Sequence, residues 1–262
     1  MNCREKSFSI EESLHDRIDY HNRRKGDGNM KVLVIPDVYL KPNMFYEARK
    51  VIETGTVDQV VCLMDLADDF GKQEQLQCYK DTYDTAREFA KDFPNTLWCW
   101  GNHDLSYIWE AKESGYSEFN APSIKWIMER FKEEVPNIAY IHRIDQVLFM
   151  HGGMDDFYVW ETVPELYDNI SMDEIIEKIN GLGFENLWRY GSPIWCRPQY
   201  SQRRLFREEN FLYVVGHTSV EKVSRGGNVI STDTFSTHKN GDPIDNRKFL
   251  LLDTETWEYE EV

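Results

Sequence analysis

Three short apolar runs confine what this chain can fold into. Lys31–Pro36, Gln59–Met64 and Thr96–Trp100 are nearly continuous in hydrophobic residues. A strand apolar at successive positions must be covered on both faces, as in the parallel sheets of α/β proteins. Between the runs, Met44–Glu53 has helical texture. So does Gln73–Lys91, where Leu76, Tyr79, Tyr83, Ala86 and Phe89/Ala90 recur every three or four residues. Strand, helix, strand, helix, strand over residues 31–100 predicts an α/β sandwich with parallel strands.

The second half is richer in strands. Glu118–Val135 and Met172–Asn180 have helical spacing. Ile138–Met150 reads as two strands about a turn near Arg143–Asp145, and Phe211–Val215, Gly227–Ser231 and Lys248–Leu252 are short strands. Without long helices between them, these pair antiparallel in part. Arg203, Arg204 and Arg207 read as a solvated helix face. Residues 1–29 end in the breaker stretch Lys25-Gly-Asp-Gly-Asn29, and Ile10, Leu14 and Ile18 mark an N-terminal arm or helix. Residues 30–262 form one body.

The chain has 262 residues and a formal net charge of −16, all of it in residues 30–262. Such a charge repels a long phosphate backbone, which argues against long nucleic-acid partners. No apolar run approaches the ~20 residues of a membrane helix. The first ten residues lack a signal-like apolar core, so a cytoplasmic location with reduced thiols is expected. Cys62 and Cys99 sit inside strand runs and are expected to be buried and inert. Trp98 and Trp100 are read as core and cleft wall, and His142 and His238 receive no role.

The chemistry lies where the strands stop. The first run ends in Pro36-Asp37-Val38-Tyr39, the second in Met64-Asp65-Leu66-Ala67-Asp68-Asp69, and the third in Gly101-Asn102-His103-Asp104. Later strands add Met150-His151-Gly-Gly and Gly216-His217-Thr218. In open α/β sheets, ligands bind at the carboxyl ends of strands. Carboxylate, amide oxygen and imidazole together suit Mn, Fe or Zn. Taken singly, an Asp there is usually a helix cap and an Asn or Gly a turn residue. Five such pieces in order are hard to obtain from caps and turns, so one convergent site is expected.

The order of these blocks resembles the calcineurin-like metallophosphoesterases, and the later blocks are similar to the bacterial and phage branch of the serine/threonine phosphoprotein phosphatases. The resemblance spans about residues 31–253 and implies a four-layer αββα sandwich with mixed sheets. It implies two divalent or mixed-valence ions, or a single ion if one site is lost. Asp37 would hold the first metal, Asp65 would bridge both, and Asn102, His151 and His217 would hold the second. His103 would protonate the leaving group, oriented by Asp68, while Asp104 would support the loop without ligating. Arg197, in Trp195-Cys-Arg197, would grip the substrate phosphate together with Asn102; a planar guanidinium suits two oxygens at once. The implied activity is metal-dependent hydrolysis of a phosphate monoester on a small molecule or a phosphoprotein. The alternatives are a degenerate member that binds a metal or phospho-ligand with little turnover, and a phosphodiesterase acting on a nucleotide.

Three positions depart from the family pattern. Tyr39 stands where Asp-x-His has histidine. A phenol with an ordinary pKa of ~10 is a poor ligand, so Tyr39 either ligates a hard ion such as Fe(III), leaves the first metal weakly held, or abolishes that site. Met64 replaces glycine before Asp65; if that backbone is left-handed, the Cβ costs roughly 1–2 kcal/mol. Asp69 replaces an arginine that would grip phosphate, which weakens the case for phosphoproteins.

Overall fold

In the computed structural model the first apolar run becomes β1 (Lys31–Ile35). Its side chains alternate between two cores. Val32 and Val34 pack in one cluster, while Leu33 and Ile35 join another that contains the helices. Burial on both faces is why the run reads as continuous rather than alternating. The structure describes residues 30–262 apart from 169, 170, 202 and 245. The N-terminal arm expected at 1–29 lies outside the described residues.

Helices α1 (Asn43–Ile52) and α2 (Leu76–Asp92) connect β1 to β2 (Gln59–Cys62) and β2 to β3 (Leu97–Cys99). These three strands are parallel neighbours. Their sheet is extended by β4 (Ile138–Ala139), parallel to β3, and on the other edge by β10 (Leu250–Asp253) and β11 (Tyr259–Glu261), both antiparallel. The second sheet contains β5 (Ile141–Ile144), β6 (Val147–Met150), β7 (Leu212–Val215), β8 (Ser224–Gly226) and β9 (Val229–Ser231), in the order β5-β6-β7-β9-β8. Here β6, β7 and β9 run parallel and the edge strands antiparallel.

Val32, Val61 and Cys99 of the first sheet cluster with Phe149, Leu212, Val214 and Ile230 of the second. That apolar layer is the seam of the sandwich. On the outer faces, α1 packs on β1, α2 packs with α4 (Ala121–Glu134), and α6 (Met172–Asn180) packs on β5. Helix α6 starts at a reciprocal Ser171/Glu174 capping box. The short helices α3 (Asn102–Ile108), α5 (Asp156–Thr162) and α7 (Phe184–Leu187) follow the loops. This is the expected αββα sandwich with mixed sheets.

Several local expectations are corrected. Ile138–Met150 holds three strands, because the chain leaves the first sheet after Ala139 and enters the second at Ile141. Gly227, at φ 61°, turns the β8–β9 hairpin, so the predicted Gly227–Ser231 strand begins only at Val229. The helix expected from Gln73 begins at Leu76. Arg203 lies on a bend, Arg204 in irregular chain and Arg207 on a turn, none of them on a helix. The backbone of this segment is engaged elsewhere: Arg204 O accepts from Asp156 N at 2.9 Å and the neighbouring Phe206 N donates to Met154 O at 2.9 Å.

Candidate metal centre

Parallel strands place their carboxyl ends on one edge, and the loops that follow β1, β2, β3, β6 and β7 meet there. The loop after β1 is laced to the loop after β2: Val38 N donates to Met64 O at 3.0 Å and Tyr39 N to Asp65 O at 2.8 Å. Asp37 and Asp65 are thereby fixed side by side. Both are buried among few cations, so their charges are costly unless something compensates them. Asp37 Oδ1 accepts from His217 N at 3.0 Å and lies 3.2 Å from His151 Nδ1. Asp65 Oδ1 accepts from His103 N at 3.0 Å, an otherwise orphan amide at the start of α3.

His151 is fully buried at the centre. Its Nε2 lies 3.0 Å from Asn102 Oδ1, 3.1 Å from His217 Nδ1 and 3.3 Å from Asp65 Oδ2. Ligating atoms of Asp65, His151 and His217 all fall within 4.8 Å of one another. Asp37 Oδ2, Asp65 Oδ2 and His217 Nε2 are buried and have no hydrogen-bond partner. A bare carboxylate oxygen and a bare imidazole nitrogen on residues of that group, with a second bare carboxylate oxygen on neighbouring Asp37, fit a divalent cation.

The glycines match this crowding. A Cβ on Gly101 would sit 1.9 Å from Asp65 Oδ1, and one on Gly216 would sit 2.1 Å from Asp37 Oδ2. Neither glycine has a positive φ; each is needed because a carboxylate approaches its backbone. Strain gathers at the same spot. Tyr39, Met64, Asp65, Asp68 and His217 all have φ between 39° and 61°. The left-handed backbone that would make Met64 costly is therefore present.

Electrostatics separate the groups. Burial raises the Asp37 carboxyl well above its ordinary range, reinforced by Asp233 and Asp65. For Asp65, burial pushes up but the imidazoles of His151 and His103 outweigh it, and the net direction is down. His151 is pushed down by burial and pulled up more strongly by Asp65 and Asp37, to about 9. His217 is driven well below its ordinary value by burial and by His151, so it stays neutral with Nε2 bare.

His103 sits at the rim of a 230 Å³ cleft that Tyr39, Asp68, Arg197 and His217 also line. Its Nδ1 lies 3.0 Å from Asp68 Oδ2. Asp68 Oδ1 accepts from Tyr79 and Tyr107 hydroxyls, each at 2.6 Å, so its position is fixed from behind. Burial lowers the His103 imidazole, but Asp65 and Asp68 raise it further, to about 9. Arg197 Nη1 donates to His217 O and, at 3.1 Å, to Thr218 Oγ1. Asp104 Oδ1 accepts from Leu66 N at 3.0 Å, Ala67 N at 3.2 Å and the Tyr83 hydroxyl at 2.5 Å, which ties it to the loop after β2.

Tyr39 is placed differently from the others. Its hydroxyl donates to Asp233 Oδ2 at 3.2 Å, and burial drives its pKa well above the usual phenol value. Asp233 is not among the residues that the sequence singles out. It is fully buried, follows β9, and accepts from Ser236 Oγ at 2.9 Å. The signal that finds it is the same one used for the other strand ends, applied to Gly227–Ser231. His142, given no role, has its Nε2 3.1 Å from Trp98 O, away from this centre.

A family model described as calcineurin-like phosphoesterase matches residues 30–241. No curated protein matches the chain. Among solved structures, a point mutant of a cold-active protein tyrosine phosphatase aligns with a TM-score of 0.53 and 18% identity, over 89% of this chain and 80% of that one. A protein serine/threonine phosphatase from Saccharomyces cerevisiae aligns with a TM-score of 0.53 and 12% identity, over 88% of this chain and 75% of that one. At such identities the two alignments speak for the fold.

Proposed function

We propose, from the premise that the chain belongs to the calcineurin-like phosphoesterase family, that it is a phosphatase: a metal-dependent hydrolase of phosphate monoesters with His103 as general acid. The observation that carries this reading is a set of three buried, bare ligating atoms next to an aspartate-backed histidine, whose backbone amide donates to Asp65. Asp65, Asn102, His151 and His217 would hold one ion, and Asp37 with Asp65 a second. Such ions neutralise phosphoryl charge and acidify water.

The protein's own groups do the rest. Arg197 grips the phosphoryl oxygens as a fork. Asp68 holds the His103 ring by Nδ1, which leaves Nε2 to hand a proton to the departing oxygen. Because Asp65 and Asp68 favour the imidazolium, that proton is available at neutral pH. His103→Asn therefore lowers kcat for an alkyl phosphate by ~10²–10⁴-fold. For 4-nitrophenyl phosphate, whose leaving group needs little protonation, the loss is much smaller. Equal losses on both substrates would remove the general-acid role.

A weakened first site is favoured by the Tyr39–Asp233 hydrogen bond. We read Tyr39 as a neutral donor to Asp233 and not as a ligand. On that reading the purified protein holds close to one Mn, Fe or Zn ion per chain by elemental analysis. Tyr39→His raises bound metal toward two ions per chain and raises kcat at least tenfold. No change in metal content after that substitution would place the defect elsewhere, with Met64 the next position to restore. Hydrolysis of bis(4-nitrophenyl) phosphate at a rate equal to the monoester would favour the diesterase alternative.

A further inference from the structure

A second groove, of about 870 Å³, opens beside the catalytic cleft, and Asp69, Phe70 and Thr237 line both. Its floor is apolar, formed by the nearly buried Leu40, Met44, Phe235, Phe249 and Leu251. Lys41, Lys50, Lys72, Arg247 and Lys248 also line it, against only three acidic side chains among the described residues. In a chain of net charge −16, a basic groove is out of character with the rest of the surface. At physiological salt the Debye length is ~8 Å, so these nearby cations, and not remote carboxylates, set the field inside it.

Asp69 organises the junction. Its carboxylate lies 2.7 Å from Lys72 Nζ and 3.3 Å from Lys41 Nζ, and it also accepts from Thr237 Oγ1 at 2.7 Å and from Phe70 N at 3.0 Å. One carboxylate thus seats two ammonium groups, which leaves the junction net positive. The residue that displaces a phosphate-gripping arginine supplies cations to the next compartment instead. Phe70, 47% exposed, stands between the two cavities as an apolar post.

We propose that this groove binds an acidic polypeptide segment next to the phosphorylated residue of a phosphoprotein substrate. The inference rests on the hydrolase reading above. An apolar floor with a basic rim matches a segment that alternates carboxylates with apolar side chains. The groove is several times larger than the cleft that would hold the phosphoryl group, and it shares a wall with it at Asp69, Phe70 and Thr237.

The test uses the full chain and a fluorescein-labelled, unphosphorylated peptide with alternating Glu/Asp and Leu, titrated by anisotropy. Binding is expected to saturate, to weaken with added salt, and to weaken at least fivefold in Lys41→Gln/Lys72→Gln. The same loss is expected in a second variant, Arg247→Gln/Lys248→Gln, altered only at exposed rim positions. With phosphoserine peptides, wild-type kcat/KM is expected to be about tenfold higher for acidic than for neutral flanks. Absence of peptide binding, equal binding of a neutral peptide, or unchanged binding in both variants overturns the proposal. If 4-nitrophenyl phosphate also goes unhydrolysed, the hydrolase reading fails, and the anisotropy result still decides the groove.

Discussion

Asp65→Asn is expected to lower kcat/KM for 4-nitrophenyl phosphate by roughly 10³-fold, about 4 kcal/mol in barrier, and to strip most bound metal. The substitution keeps the shape of the side chain and removes its charge. Asp65 Oδ1 still has the His103 amide to accept from. Oδ2, however, is bare, buried, and within reach of His151 and His217, and an amide there offers a neutral oxygen or a nitrogen that cannot ligate. Because Asp65 is also the leading contributor raising both His151 and His103, its neutralisation removes the field that orders the cluster. Elemental analysis and steady-state kinetics together check the expectation. Wild-type metal content with unimpaired turnover would refute the metal-holding role proposed for Asp65.

Gly101→Ala is expected to be nearly as damaging, by a different route. The new methyl would lie 1.9 Å from Asp65 Oδ1 and 2.7 Å from the Asp65 backbone nitrogen. Rotating the carboxylate relieves the first overlap but not the second. The strand end must shift, at a cost of about 3 kcal/mol, a fall in melting temperature on the order of 6–12 °C. Gly101 itself has an ordinary extended backbone, φ −92° and ψ 162°, so the effect comes from proximity and not from conformational freedom. Gly226→Ala, with nothing within 4 Å and no positive φ, serves as the control and leaves the melting temperature unchanged. An unshifted melting curve for Gly101→Ala would mean that this approach is looser than described.

Legibility in the sequence follows burial. β1 and β2 are readable because both their faces are covered, and the apolar run itself announces that. The polar residues after them are readable for the complementary reason, since an uncompensated Asp or His at the end of a buried strand needs a purpose. What the sequence hides lacks one of these signals. The run that becomes β9 is legible, but Asp233 stands two residues beyond it and is flanked by Thr and Ser, so it looks like part of a loop. Edge strands β8 and β11 are exposed throughout and carry no apolar run. The partner of Tyr39 lies 194 positions away, beyond the reach of any local pattern. Met64 illustrates a conflict of scales. Its left-handed backbone costs roughly 1–2 kcal/mol, whereas removing so deeply buried a side chain would cost about 2–5 kcal/mol, so packing keeps the strained residue in place.

Each sheet contributes half of the centre. Asp37, Asp65 and Asn102 follow strands of the first, while His151, His217 and Asp233 follow strands of the second. A cation held between them is therefore a clasp across the seam as well as a reagent. Whatever binds the folded arrangement and not the unfolded chain shifts the balance toward it. Metal supply would then govern how long the two halves stay shut, and a chelator would act on this protein as a mild denaturant long before any substrate is offered.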